Sequence, residues 1–98
     1  MAKVILSLEG SVIREVSLDK ERVTIGRKPQ NDIQIENLAV SSEHARLEPD
    51  QHGWRLVDLG SRFGTLVNGI PATTRHLEDL DRITVADCEF IFEAADVR

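Results

Sequence analysis

A single cysteine, Cys88, is all the sequence offers for thiol chemistry, so neither an internal disulfide framework nor a cysteine metal cluster is available. Placed beside a strand pattern, it reads as a small buried hydrophobe rather than a reactive thiol. No apolar run approaches the length needed to cross a bilayer, and Met1-Ala2-Lys3 leads into a polar-interrupted strand pattern instead of a signal-peptide core. These absences set the expectation of a soluble chain in a reducing, cytoplasmic compartment, without metal or cofactor. Basic residues are in deficit, 12 against 17 acidic ones, for a net charge of −5. A domain of that sign does not attract polyanions, which argues against nucleic acid and anionic membrane surfaces as partners. A single phosphate asks for less, because a local cluster of donors can hold it within an acidic background.

The signatures of catalysis are also missing. Gly26-Arg27-Lys28 lacks the Gly-x-x-x-x-Gly-Lys-Ser/Thr run of a phosphate-binding P-loop. Ser41 or Ser42, His44 and Asp58 supply the residue types of a hydrolytic triad. The segment Ser-x-x-His makes no nucleophile elbow, however, and no Gly-x-Ser-x-Gly occurs. A binding module, not an enzyme, is the expectation. Repeats, low-complexity stretches and linkers are absent as well. The 98 residues suit one domain spanning 1–98, with a core from about 3 to 93. A chain of this size buries roughly two-thirds of the surface its unfolded form exposes, so it has no need of staples.

What is present is a period of two in short bursts. Val4, Leu6 and Leu8 share one face, and Val12, Val16 and Leu18 the next, with Arg14 breaking the pattern. Val23 with Ile25, Ile33 with Ile35, Ala45 with Leu47, Trp54 with Leu56, Ile83 with Val85 and Phe90 with Phe92 follow. No window holds a helical period over three turns; Arg75 to Asp81 allows at most a short turn. Asn68-Gly69 between Val67 and Ile70 is a hairpin signal, since both positions tolerate positive φ. About ten short strands at this spacing predict an all-β sandwich or barrel.

Two stretches are specific. Thr24-Ile25-Gly26-Arg27 is followed after a turn by Asn31-Asp32-Ile33. Val40-Ser41-Ser42-Glu43-His44-Ala45-Arg46-Leu47 precedes Asp58-Leu59-Gly60-Ser61-Arg62-Phe63-Gly64-Thr65-Leu66-Val67-Asn68-Gly69. In that order the chain resembles the forkhead-associated (FHA) family, from about Lys3 to Glu93, and particularly its short bacterial members. The resemblance implies a sandwich of eleven short, mainly antiparallel strands whose loops at one end grip a phosphothreonine peptide. It implies partners in serine/threonine kinase signalling, a kinase or its substrate. Arg27 is then the principal phosphate ligand, with a planar, permanently charged fork. Ser41 is the serine contacting the phosphate, and Ser42 a weak contact to the peptide. His44 pins the binding loops, and Gly26, Gly64, Asn68 and Gly69 support them. His52 and His76 stand apart, without ligand spacing.

The glycine-rich loop departs from the family, which reads Ser-Thr-Asn-Gly-Thr where this chain has Ser61-Arg62-Phe63-Gly64-Thr65. Arg62 replaces a threonine that helps hold phosphate, and Phe63 an asparagine that hydrogen-bonds the peptide main chain. Losing that clamp costs about 1–3 kcal/mol. Arg62 either offsets this with a second charge on the phosphate or reaches an acidic side chain of the protein itself. The expectation is phosphopeptide binding weaker than the family norm, strengthened by Phe63→Asn. The alternative is an FHA-like module independent of phosphate, in which Phe63 docks an unmodified partner or a second copy of the chain.

Overall fold

The computed structural model describes residues 2–19 and 21–94, so Met1, Lys20 and the last four residues of the 1–98 span lie outside the described residues. Eleven strands run β1 (Lys3–Leu8), β2 (Ser11–Ser17), β3 (Val23–Gly26), β4 (Ile33–Gln34), β5 (Ala45–Asp50), β6 (Gly53–Asp58), β7 (Leu66–Val67), β8 (Ile70–Pro71), β9 (Thr74–Leu77), β10 (Arg82–Val85) and β11 (Cys88–Glu93). They form a six-stranded sheet, β2-β1-β11-β10-β7-β8, and a five-stranded sheet, β4-β3-β5-β6-β9. All pairings are antiparallel except β3 with β4, where Ile25 lies opposite Ile33.

The period of two is what makes these strands face one another. Val4, Leu6, Val67, Ile83, Val85, Phe90 and Phe92 line the inner face of the first sheet. Val23, Ile25, Ile33, Ala45, Leu47 and Leu56 line the second, all essentially without solvent contact. Trp54 packs half-buried against this core. Removing each large apolar side chain from water contributes roughly 1.5–3 kcal/mol, the main source of cohesion in a fold without disulfides. Cys88 is a buried free thiol; burial and the neighbouring Asp87 carboxylate push its pKa up.

Strand β2 corrects one expectation. Val12 does not join Val16 on the core face: it is 65% exposed, and Ile13 is 56% exposed. Leu6 pairs with Arg14 but Ser7 pairs with Val12, leaving Ile13 as an extra residue. A one-residue bulge swaps faces for everything beyond it, so Val12 shares the outer face with Ser7. Leu18, just past the strand, is buried and donates its amide to the Ala2 carbonyl. The stretch from Arg75 to Asp81 is also more regular than expected, holding most of β9 before the turn. Leu80 and Ala86 take φ of 69° and 55°, the conformation glycine adopts most easily.

Strand pairing decides where the loops gather. Ile25 lies opposite both Ile33 and Ala45, and Ala45 opposite Asp58. The segments 27–32, 35–44 and 59–65 therefore emerge from the same end of the five-stranded sheet.

Candidate functional site

At this end the three segments are tied together through the dipeptide Ser41-Ser42. The Arg27 amide donates to the Ser41 carbonyl (3.0 Å), and the Lys28 amide to the Ser42 carbonyl (3.3 Å). Asn31 Nδ2 donates to that same Ser42 carbonyl and to the Lys28 carbonyl, both at 2.9 Å. Upstream, the Asp32 carboxylate accepts from the Thr24 amide and hydroxyl, and the Asp32 amide donates back to the Thr24 hydroxyl. Gly26 sits where these chains cross. A Cβ there would lie 2.3 Å from the Ser42 carbonyl oxygen and 2.6 Å from Asn31 Nδ2, so no larger residue fits without displacement.

Arg27 is exposed but its aim is set. Its Nε donates to the Val40 carbonyl (3.0 Å), and among the described residues its terminal nitrogens make no hydrogen bond. Ser41 lies beside it with its hydroxyl oxygen accepting the Arg62 amide (3.0 Å), so its own proton is available to an acceptor. The half-buried Ser42 spends its carbonyl inside the protein. Lys28, not singled out in the sequence, adds an exposed cation next to Arg27.

His44 joins two of the loops. The imidazole is fully buried; Nδ1 accepts the Ser41 amide (3.1 Å), which fixes the proton on Nε2, and Nε2 donates to the Gly64 carbonyl (3.0 Å). Both nitrogens are thus used by backbone groups and neither meets a serine hydroxyl. The third member of the imagined triad is equally committed: Asp58 binds its own loop, not His44.

That Asp58 role was not legible as chemistry in the sequence. One carboxylate oxygen accepts the Ser61 amide (2.8 Å); the other accepts the Ser61 and Thr65 hydroxyls, each at 2.6 Å. Ser61 Oγ in turn accepts the Gly64 amide (3.0 Å), and Thr65 is buried. The signal was an Asp three residues before a Ser in a glycine-rich turn, an Asx-turn pattern. Burial pushes the Asp58 pKa up, but the hydrogen bonds from Ser61 and Thr65, with the Ser61 and Gly60 amides, outweigh it and hold the carboxyl below its ordinary value.

A group with a depressed folded pKa contributes stability that is present above the unfolded value, ordinarily about 3.9, and lost as pH falls through the folded value. Asp58→Asn places an amide N–H₂ where hydroxyl donors point. It is expected to cost about 1–3 kcal/mol in urea denaturation at pH 7. The gap from wild type should narrow below about pH 4, as the wild-type carboxyl protonates. An unchanged gap at acid pH would show that the charge is not what holds the loop.

Phe63 stands at the loop tip, 66% exposed. Arg62 reaches no acidic side chain among the described residues: its Cζ lies 5.3 Å from the Phe63 ring centroid, a cation–π distance. Gly64 supports the loop through His44, at φ 85°. Among the described residues, the Asn68 side chain makes no hydrogen bond to segments 27–32, 35–44 or 59–65. Asn68 and Gly69 form the β7–β8 turn with φ of 53° and 80°, and Asn68 exchanges hydrogen bonds with the Asp81 carboxylate and the Arg82 amide. The β10 register carries Asn68 away from the loops, toward the start of that strand.

His52 and His76 are not separate, as their spacing had suggested. At the far end of β5, Asp50 accepts the His52 amide and bonds His76 Nδ1, both at 2.8 Å, and the two rings lie edge to face at 6.0 Å. Pairing of β6 with β9 brings them together. Among the described residues no group of three or more His, Cys, Asp or Glu is arranged to hold a metal ion.

A family model described as FHA domain matches residues 23–86. The chain is 34% identical over 77 residues to an oxoglutarate dehydrogenase inhibitor of Corynebacterium efficiens, covering 79% of this chain and 54% of that protein. It is 31% identical over 75 residues to the glycogen accumulation regulator GarA of Mycobacterium tuberculosis, covering 76% and 46%. The chain thus spans about half the length of these curated relatives. A domain solved in work on phosphothreonine-dependent FHA domain interactions superposes with a TM-score of 0.84 at 28% identity, covering 97% of this chain and 99% of that one.

Proposed function

The chain belongs to the FHA domain family, and from that premise we propose that it binds phosphothreonine segments of partner proteins and so mediates protein–protein interaction in signalling. The observation that carries this reading is the pairing of Arg27 and Ser41. The Arg27 guanidinium is braced at Nε on the Val40 carbonyl, and the Arg27 amide joins the residue after Val40, Ser41, whose hydroxyl oxygen is already occupied and whose proton is not. Phosphothreonine carries about −1.5 to −2 charges and three acceptor oxygens, which suits one fixed fork and several short donors.

Arg27 holds the phosphate, Ser41 donates to it, and Ser42 makes a minor contact. Gly26, His44 and Gly64 keep the loops in place. The module acts by binding and not by catalysis, as the names of its relatives, an inhibitor and a regulator, suggest. A serine/threonine kinase or one of its substrates is the partner class. A reducing, cytoplasmic setting suits the free, buried Cys88 thiol; no helix among the described residues is long and apolar enough to cross a membrane.

A second reading has its own support. Phe63 and Leu38 are 66% and 90% exposed, and large exposed apolar side chains on loops are candidates for docking an unmodified surface or a second copy of the chain. Titration of the domain with a degenerate phosphothreonine peptide library and its unphosphorylated counterpart separates the two. Binding confined to the phosphorylated library is expected. Equal binding of both, or none of either at millimolar peptide, would reject phosphate recognition.

A further inference from the structure

The phosphate locus has one braced cation, Arg27, while a second, Arg62, is held differently. Its backbone amide is anchored on Ser41 Oγ, so the residue starts at the phosphate locus. Its guanidinium then lies over the ring of the next residue, Phe63. Among the described residues the Arg62 guanidinium makes no hydrogen bond or ion pair, unlike those of Arg46 and Arg55, which are both committed to Glu48. An exposed arginine left to itself samples many rotamers, and fixing one costs entropy on binding. Stacking on an aromatic face removes part of that cost and leaves the in-plane N–H donors uncovered.

We propose that Phe63 is a positioning residue for Arg62. The pair forms a second anion subsite beside the phosphate, selecting phosphothreonine segments with an acidic side chain within a few residues. This rests on the phosphothreonine reading above. The geometry favours a separate anion over a second contact to the phosphate itself. The Arg62 guanidinium is held over the ring of the residue that follows it, while only its amide meets Ser41, and an extended segment advancing about 3.3 Å per residue can set a second anion beside it. The domain's own charge of −5 makes the effect selective, because an acidic segment is repelled elsewhere on the surface.

The test uses phosphothreonine peptides in a neutral background, with Asp or Asn placed at each of the three positions on either side. The readout is the Asp-over-Asn affinity ratio, which divides out any general loss of binding. For the wild type, at least one position is expected to give a ratio of about two- to fivefold, shrinking with added salt. Arg62→Gln and Phe63→Leu should each bring the ratio close to one, the double variant no further, and Phe63→Tyr should keep it. Phe63→Asn should raise affinity for the neutral peptides while erasing the ratio, since it exchanges the ring for an amide. A ratio near one for wild type at every position, with phosphate-dependent binding intact, overturns this proposal alone. So does an undiminished ratio in Phe63→Leu. Absence of phosphate-dependent binding with every peptide overturns both this proposal and the reading beneath it.

Discussion

Arg27→Ala is expected to weaken phosphothreonine-peptide binding by on the order of ten- to a hundredfold, the equivalent of about 1.5–3 kcal/mol for a hydrogen bond to a charged group. The fold should hardly notice. The side chain is exposed and contributes one hydrogen bond, from Nε to the Val40 carbonyl, while the amide that joins Ser41 is retained in alanine. Unfolding midpoints of variant and wild type should therefore agree closely, so that a binding loss is a loss of the ligand and not of the domain. Arg27→Lys should fall between: it keeps the charge but loses both the planar fork and the brace at Nε. Calorimetric titration with one phosphothreonine peptide across the three proteins measures this. Equal affinities would mean that Arg27 is only a solvated surface residue and that the phosphate, if bound at all, is held elsewhere.

Gly26→Ala should do the opposite, damaging the scaffold and the site together. The reason is space and not backbone conformation. The added methyl would approach the Ser42 carbonyl oxygen to 2.3 Å and Asn31 Nδ2 to 2.6 Å. Asn31 can swing aside, but the Ser42 carbonyl is main chain and already accepts from the Lys28 amide and Asn31. Relief therefore means moving the Ser41-Ser42 segment that Arg27, Lys28 and Arg62 all lean on. Overpacking of this kind costs about 1–3 kcal/mol. Denaturation should show a loss of that size, accompanied by a fall in peptide affinity. Adding Asn31→Ala should not restore either quantity, because the carbonyl clash survives. Recovery in the double variant would place the whole conflict on the asparagine side chain and remove the argument that Gly26 sets the position of Ser42.

Much of the fold could be read from the chain because a strand's side chains alternate strictly. Ile83 with Val85, or Phe90 with Phe92, can only lie on one face, and each pair is buried where the alternation put it. Val12 shows the limit of that logic. Its parity was right for β2 in isolation, but parity carries across a sheet only in unbroken register, and the bulge at Ile13 breaks it. Nothing local to Ser11–Ser17 announces that bulge, since it is defined by the pairing with β1.

The loop residues divide in the same way. Arg27, Ser41, His44 and Gly64 could be picked out because their spacing matches a family pattern, and the structure gathers them at one end of the five-stranded sheet. Asn68 and Gly69 matched the same pattern, yet their turn is fastened to Asp81 and Arg82 instead. Spacing along a chain says which residues travel together, not which end of a strand they reach. Asp58 with Ser61 and Thr65 is nearly local and was still missed, because carboxylates in glycine-rich loops are common and only the 2.6 Å contacts distinguish this one. His52, in the β5–β6 turn, and His76, on β9, meet because β6 pairs with both β5 and β9.

By itself, then, the sequence determined the class of fold, most of the strands and their buried faces, the absence of an internal disulfide and of a P-loop motif, and which residues are candidates for holding a phosphate. The fold class and the exclusions follow from composition and periodicity, which are properties of the chain before it folds, while the candidate phosphate residues follow from the resemblance to the family. The tertiary structure alone decided the direction of Arg62. Two outlets were open to it on paper, the phosphate or an acidic neighbour, and the folded loop places it on Phe63 instead. Rotamer choice on a surface loop depends on which surfaces the rest of the fold brings within reach, and that is settled only when the strands have paired.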